Sequence, residues 1–238
     1  MENYTITVAR GFGSGGKEIA SRVAKDLGIH CYENRILTLA SQMSGIDRQL
    51  FEEVNERLHS KKKGLSALLS GLPRRKNPEP EHRKFVSDDQ LFEYEKQIIM
   101  ELSKTESCVI VGKAADWILK DSERTFSIYI EAPRSFCRPR IMAKMGVTAE
   151  TADISITETD KYRAEYYSYY TGGNYWTNPV NYDLTLNSAR LGIYISGNFS
   201  WRACSMIFTQ PSIPRRALLS VRSKPMWTKY GESSLLQY

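Results

Sequence analysis

Thr5-Ile6-Thr7-Val8-Ala9-Arg10 leads into Gly11-Phe12-Gly13-Ser14-Gly15-Gly16-Lys17, and Glu18 to Leu27 follows. A short β-branched run ends in a glycine-rich turn, and a helical pattern begins at once. Gly11 and Gly16-Lys17 stand at the G-x-x-x-x-G-K spacing of a phosphate-cradling loop. Glycines lack Cβ, so successive backbone N–H groups can turn inward as a nest for phosphate oxygens. The helix that follows offers unpaired N–H groups and its positive dipole end to the same anion. Lys17 then reaches the β- and γ-phosphates as a mobile point charge. Glu18 replaces the Ser or Thr whose hydroxyl usually holds Mg²⁺. A Glu here is compatible with a metal held through water and equally with repulsion of phosphate. The plain alternative is a glycine-rich βα turn that binds nothing. The strand before, the helix after and the place near the N-terminus favour the phosphate loop.

The rest of the composition narrows the class. A chain of 238 residues buries a sizeable core as one α/β domain, or as one with a small insertion. With 25% charged and 41% hydrophobic residues it reads as globular rather than disordered. No run approaches the length of a membrane span. Met1-Glu2-Asn3-Tyr4 has neither a basic region nor an apolar core, so no secretory signal is expected. Cys31, Cys108, Cys137 and Cys204 are widely spaced and form no C-x-x-C. Reduced thiols in a cytoplasmic protein are therefore expected, and no zinc site. The net charge of +6 is concentrated in the last segment, where Arg202, Arg215, Arg216, Arg222, Lys224 and Lys229 face Glu232 alone. The remainder is close to neutral. That favours a local phosphate site over a nucleic-acid surface.

Along the chain, Gly28 reads as the C-cap of the first helix, and Ile29 to Tyr32 as a short strand. Glu33-Asn34-Arg35 opens a helix running to about Met43, broken at Ser44-Gly45. Asp47 can cap a third helix carrying Leu50, Phe51, Val54 and Leu58. Lys61 to Lys84, with Pro73, Pro78 and Pro80, is loop-like, and reads either as a functional loop or as a solvated tether. Another helix begins at Ser87-Asp88-Asp89. Cys108-Val109-Ile110-Val111 is apolar throughout and ends in Gly112, as a strand buried on both faces does. The pattern predicts a helix over Lys113 to Leu119, a strand over Thr125 to Ile130, helices over 134–145 and 149–170, and a last strand over Tyr182 to Leu186. Strands alternating with helices give a parallel sheet covered on both faces, with right-handed crossovers. Ligands in such folds sit at the carboxyl ends of the strands. The glycine loop, Lys113 and Glu131 all stand there.

Arg134, Arg138, Arg140 and Lys144 precede Asp160-Lys161-Tyr162-Arg163, so two helices carry cations toward one region. Cations neutralise charge on a transferring phosphoryl group. Singly, each reads as part of a charged helix face; together with a phosphate loop they read as a site. Tyr162, Tyr166, Tyr167, Tyr169, Tyr170, Tyr175 and Trp176 could stack a base, but aromatics at helical spacing are more often packing. His30, His59 and His82 lie in no metal or triad spacing. Cys137, near several arginines, is a candidate for a lowered pKa without a nucleophilic role.

Four blocks in order resemble the cytidylate kinase-like family. They are Ile6 to Ala20, Cys108 to Ala115, Thr159 to Arg163 with Tyr166-Tyr167, and Asn181 to Asn187. The resemblance spans about Thr5 to Ile195. It implies a P-loop three-layer fold with a five-stranded parallel sheet, a helical lid (about 134–172) and a monophosphate-binding insertion (about 44–90), all within 1–198. The implied reaction transfers a phosphoryl group from ATP, with Mg²⁺, to CMP or dCMP. By position, Gly11, Phe12, Gly13, Ser14, Gly15, Gly16, Lys17 and Glu18 would hold the ATP phosphates. Lys113 stands where the family often has an Arg gripping the acceptor phosphate, and Arg35 is a candidate for the same group. Asp160 would accept from the cytosine amino group or orient the lid. Arg140 and Arg163 would close on the phosphates beside Lys17. Residues 199–238 depart from the family pattern and form an atypical basic tail. Without a closing helix after Ile195, part of the sheet face would lie bare, an expectation of low stability or of a homodimer.

Overall fold

β1 (Thr5–Arg10) is buried from Thr5 to Ala9, and its neighbours explain why. The structure, a computed structural model, describes residues 3–45 and 88–194. In it β1 lies between β3 (Cys108–Val111) and β4 (Thr125–Glu131), with β2 (His30–Tyr32) outside β3 and β5 (Leu184–Asn187) outside β4. All four pairings are parallel. The register sets Val8 opposite both Val111 and Ile128. Parallel strands need long crossovers, and the helices that supply them cover both faces.

On one face α1 (Gly16–Leu27) packs Ile19, Ala20, Val23 and Ala24 onto Ile6, Val8, Val109, Val111, Phe126 and Ile128. Gly28, left-handed at φ 66°, ends α1 by donating its N–H to the carbonyls of Ala24 and Lys25. On the other face α2 (Arg35–Ser44) and α3 (Asp88–Thr105) bring Ile36, Ile99 and Leu102 against Tyr32, Cys108 and Ile110. Farther along that face Ala9 and Tyr129 meet Ala114, Tyr167, Trp176 and Tyr182. Thr7 and Ser127 are buried there because their hydroxyls bond each other at 2.9 Å.

α5 (Arg134–Met145) and α6 (Ala149–Tyr170) pack on each other and reach the chain just after β1 and β4, at Phe12, Gly13 and Ala132. Ala132, Cys137, Ile141, Ala152 and Ile156 are the apolar seam of this region. Both helices run over the predicted ranges.

Three local readings change. The helix predicted from Lys113 begins at Ala115, as α4 (Ala115–Ile118), because Gly112, Lys113 and Ala114 are all left-handed at φ 78°, 60° and 51°. The last strand starts at Leu184 rather than Tyr182. Residues Pro179–Asn181 form a 3₁₀ turn, and Asp183 spends its backbone and carboxylate on Ser127, at 2.8 Å each. A further short helix, α7 (Ser188–Leu191), follows β5, capped by the Asn187 side chain on the N–H groups of Ala189 and Arg190. The helix expected from Asp47, the 61–84 loop, most of the 44–90 insertion and the 199–238 tail lie outside the described residues. Among the described residues no helix is long and apolar enough to cross a membrane.

Candidate active site

At the end of β1 the chain turns sharply. Gly11 extends the ladder by donating its N–H to Ile130 O at 3.0 Å, and the Ser14 hydroxyl closes the turn on Gly11 O at 2.9 Å. Gly15 enters α1 at φ 82°, a conformation that penalises any side chain. The loop thus delivers the N-terminal N–H groups of α1 and the Lys17 ammonium to one side of a cavity of about 760 Å³. The far side of that cavity is α5, through Pro139, Arg140, Ala143 and Lys144.

The predicted site residues divide by place. Gly11, Phe12, Gly13, Gly15, Gly16, Lys17, Glu18, Arg140 and Arg163 line this cavity together; Ser14 is buried beneath it as the turn's brace. Lys17 pairs with Glu33 and Glu18 with Arg140. Arg140 also donates from Nε to Gly13 O at 3.1 Å. Arg163 donates from Nη1 to Arg10 O at 2.9 Å and lies 3.4 Å from Asp160. Burial, then repulsion from Arg10, lowers its guanidinium pKa to about 10. Asp160 accepts the Phe12 N–H at 2.8 Å, joining α6 to the glycine loop, and it lines neither this cavity nor the next. Burial raises its pKa, opposed by the Phe12 N–H and by Arg163.

Beyond the loop lies a second cavity, of about 420 Å³. Its walls are Leu37 from α2, the Val111–Ala114 turn, Asp116 from α4, and the aromatic rings of Tyr162, Tyr166, Tyr167 and Trp176. Lys113 lines it, with its ammonium already 2.9 Å from Glu95 Oε1. Glu95 is buried, its side chain 5% exposed, and accepts the Tyr166 hydroxyl on its other oxygen at 3.0 Å. Arg35 is not brought to either cavity: as the first residue of α2 it lies over the Tyr32 ring at 5.7 Å. Arg10, Glu33, Asn34 and Arg163 line both cavities and so form their common wall.

The cytidylate kinase-like family model matches residues 5–190. The chain belongs to the cytidylate kinase-like family. Among solved structures it is similar to an uncharacterized protein from Eubacterium ventriosum. The two share 20% identity over 85% of this chain and 99% of the other, at a TM-score of 0.61, a likeness of fold. Looser matches are a shikimate kinase from Bacteroides thetaiotaomicron (12% identity, 87% and 99% coverage, TM-score 0.47) and a gluconokinase from Sinorhizobium meliloti (12%, 87% and 97%, 0.44). No curated protein matches.

For this family member, sequence reasoning leaves out Arg10, Glu33, Asn34, Glu95 and Asp116. A usable signal exists for three of them. Arg10 is a charge at the end of an otherwise uncharged strand, and Glu33-Asn34 directly follows β2 at its carboxyl end. Asp116 and Glu95 sit within helices, and only the tertiary fold brings Asp116 to the second cavity and Glu95 behind its lining, against Lys113 and Tyr166. Asp116 is buried and accepts the Tyr167 hydroxyl at 2.7 Å; burial raises its pKa to about 6. Cys137 departs from expectation. Burial, ahead of the nearby carboxylates, raises its thiol to about 11, against the pull of Arg134 and Arg140. Tyr170 packs by stacking on Phe92 at 3.8 Å, as Tyr129 does on Tyr182 at 5.1 Å, whereas Tyr169 and Tyr175 are exposed. Tyr162, Tyr166 and Tyr167 also face the second cavity.

Proposed function

We propose that the chain is a phosphotransferase carrying the γ-phosphoryl group of ATP to the phosphate of CMP or dCMP. The observation that carries this reading is the pair of cavities meeting at one charged wall. One is built on a glycine loop and a helix N-terminus, the other on aromatic rings and the buried carboxylate of Asp116. Family membership supplies the reaction class.

In this reading the loop N–H groups and Lys17 hold the triphosphate, while Arg140 and Arg163 reach it from the α5–α6 pair. The acceptor base lies among Tyr162, Tyr166 and Trp176, and its phosphate points to the shared wall. An acceptor phosphate oxygen attacks the γ-phosphorus in line, and the bond to the ADP oxygen breaks. Positioning and charge neutralisation are the protein's share of the work. Asp160 serves by tying α6 to Phe12, so that the lid helix and the loop move as a unit.

Mg²⁺ is bound largely by nucleotide phosphates and water and needs few protein oxygens. The carboxylate of Glu18, on the loop cavity, fits that requirement and would hold it through water. The ion supplies charge neutralisation on the β- and γ-phosphates.

ADP release with ATP-Mg and a panel of CMP, dCMP, UMP and AMP tests the proposal. Turnover with CMP or dCMP is expected. A second reading, a kinase of another small acceptor, draws on Lys113 being engaged by Glu95 rather than held free for a phosphate. Turnover confined to an acceptor outside the cytidine pair would favour it. ATP binding with no turnover on any acceptor would instead indicate a nucleotide-binding regulatory protein.

A further inference from the structure

Arg10 is the last residue of β1, immediately before the glycine loop, and its side chain is largely buried. Two close approaches make room for it. A Cβ at Gly16 would overlap the Arg10 Cβ, and one at Gly112 would overlap its Nη1. The side chain therefore runs between the start of α1 and the turn after β3. Its guanidinium ends on the wall shared by the two cavities. Burial lowers its pKa, and Glu33 is the main group that opposes this. Among the described residues its one guanidinium hydrogen bond is to Glu33 Oε1, long at 3.4 Å. A group with five donors that is costly to bury is thus held by a single weak contact.

Glu33 answers two cations at once. Oε1 faces Arg10 and Oε2 pairs with Lys17. Lys17 belongs to the loop cavity and Arg10 to the boundary, so the carboxylate marks a place where an anion is shared between donor side and acceptor side. Arg163 adds a third positive charge there, close enough to Arg10 for each to be felt by the other. A tetrahedral phosphoryl group has oxygens enough for all three, which a carboxylate lacks.

We propose that Arg10 is a catalytic residue contacting the transferring phosphoryl group, and that Glu33 is the counter-ion Arg10 and Lys17 exchange for that group. The assignment rests on the phosphotransferase reading above and adds to it the cation that spans donor and acceptor. Glu33, once displaced, faces the loop cavity with its carboxylate released.

The test needs no acceptor turnover, because the γ-phosphate distinguishes ATP from ADP. Calorimetric titrations of ATP-Mg and ADP-Mg into the full chain compare wild type with Arg10→Gln, Arg10→Lys and Glu33→Gln, with thermal unfolding as the check on folding. Arg10→Gln is expected to weaken ATP about tenfold while ADP changes less than about twofold, with Arg10→Lys between. Glu33→Gln is expected to tighten ATP about fivefold, again more than ADP. Should Arg10→Gln fail to fold, the Glu33→Gln arm decides alone: ATP-selective tightening supports the exchange, and an unchanged or weaker ATP affinity overturns it. Equal weakening of both nucleotides by Arg10→Gln, or no weakening of either, would each overturn the role of Arg10. A wild type that binds neither nucleotide would overturn the phosphotransferase reading itself, and this assignment with it.

Discussion

The loop cavity and the aromatic cavity share a wall but are built by different means. The first takes its anion-binding groups from consecutive residues, Gly11 to Lys17, using backbone N–H groups that a glycine-rich sequence exposes. The second assembles Leu37, Lys113, Asp116, Tyr162 and Trp176 from four separate segments and relies on side chains whose charges are balanced internally. Glu95 answers Lys113, and Tyr167 answers Asp116. A backbone site recognises what phosphates have in common. A side-chain site with buried, partnered charges discriminates, because an acceptor that fails to satisfy those groups leaves them unpaired. In the proposed reading, donor binding is therefore robust and acceptor choice is sensitive to single substitutions.

The sharpest way to break the comparison is at its donor side. Lys17→Ala should lower kcat by about 10³-fold while leaving the fold intact, since the side chain is exposed and removes only charge at the phosphates. Circular dichroism beside ADP release checks both halves. On the acceptor side, Glu95→Gln leaves Lys113 beside a neutral amide in a buried place. It should destabilise the protein by about 3 kcal/mol in urea unfolding, and raise KM for the acceptor more than KM for ATP.

A pH titration sharpens the contrast further. The folded pKa of Asp116, about 6, lies above its ordinary value of 3.8. The native state therefore holds the proton more tightly than the unfolded chain. The resulting stability is fully present below about pH 4 and is lost as pH rises through about 6. Relative to Asp116→Asn, wild type should lose about 3 kcal/mol across that window, read from urea midpoints at each pH. The smallest effect is expected at the loop itself. Gly15→Ala, placed at φ 82°, should cost about 1 kcal/mol and weaken ATP and ADP alike, with acceptor KM unchanged.

The same division explains what could be read in the sequence. The glycine loop, β1, α1 and the buried strand Cys108–Val111 are local patterns, and their apolar spacing and turn chemistry are complete within a short window. The wall is not local. Glu33 becomes a site residue only because β2 lies beside β3 and brings its carboxyl end to Lys17 and Arg10. Asp116 meets Tyr167 across a sequence separation of 51 residues. Lys113 and Ala114 read as helix on composition, yet take left-handed backbone where the chain turns beneath Arg10. Such conformations collect at functional sites because the surroundings hold them there. Cys137 teaches the same lesson in electrostatics: arginines nearby in sequence suggest a lowered thiol pKa, but burial outweighs them.

The most direct measurement is transfer itself. Wild type and Lys17→Ala are incubated with ATP-Mg radiolabelled at the γ-phosphate and with CMP or dCMP, and the labelled products are separated. The two-cavity account predicts label in the cytidine diphosphate with wild type, and its loss with the variant. Label retained in ATP, or released only as inorganic phosphate, would contradict it.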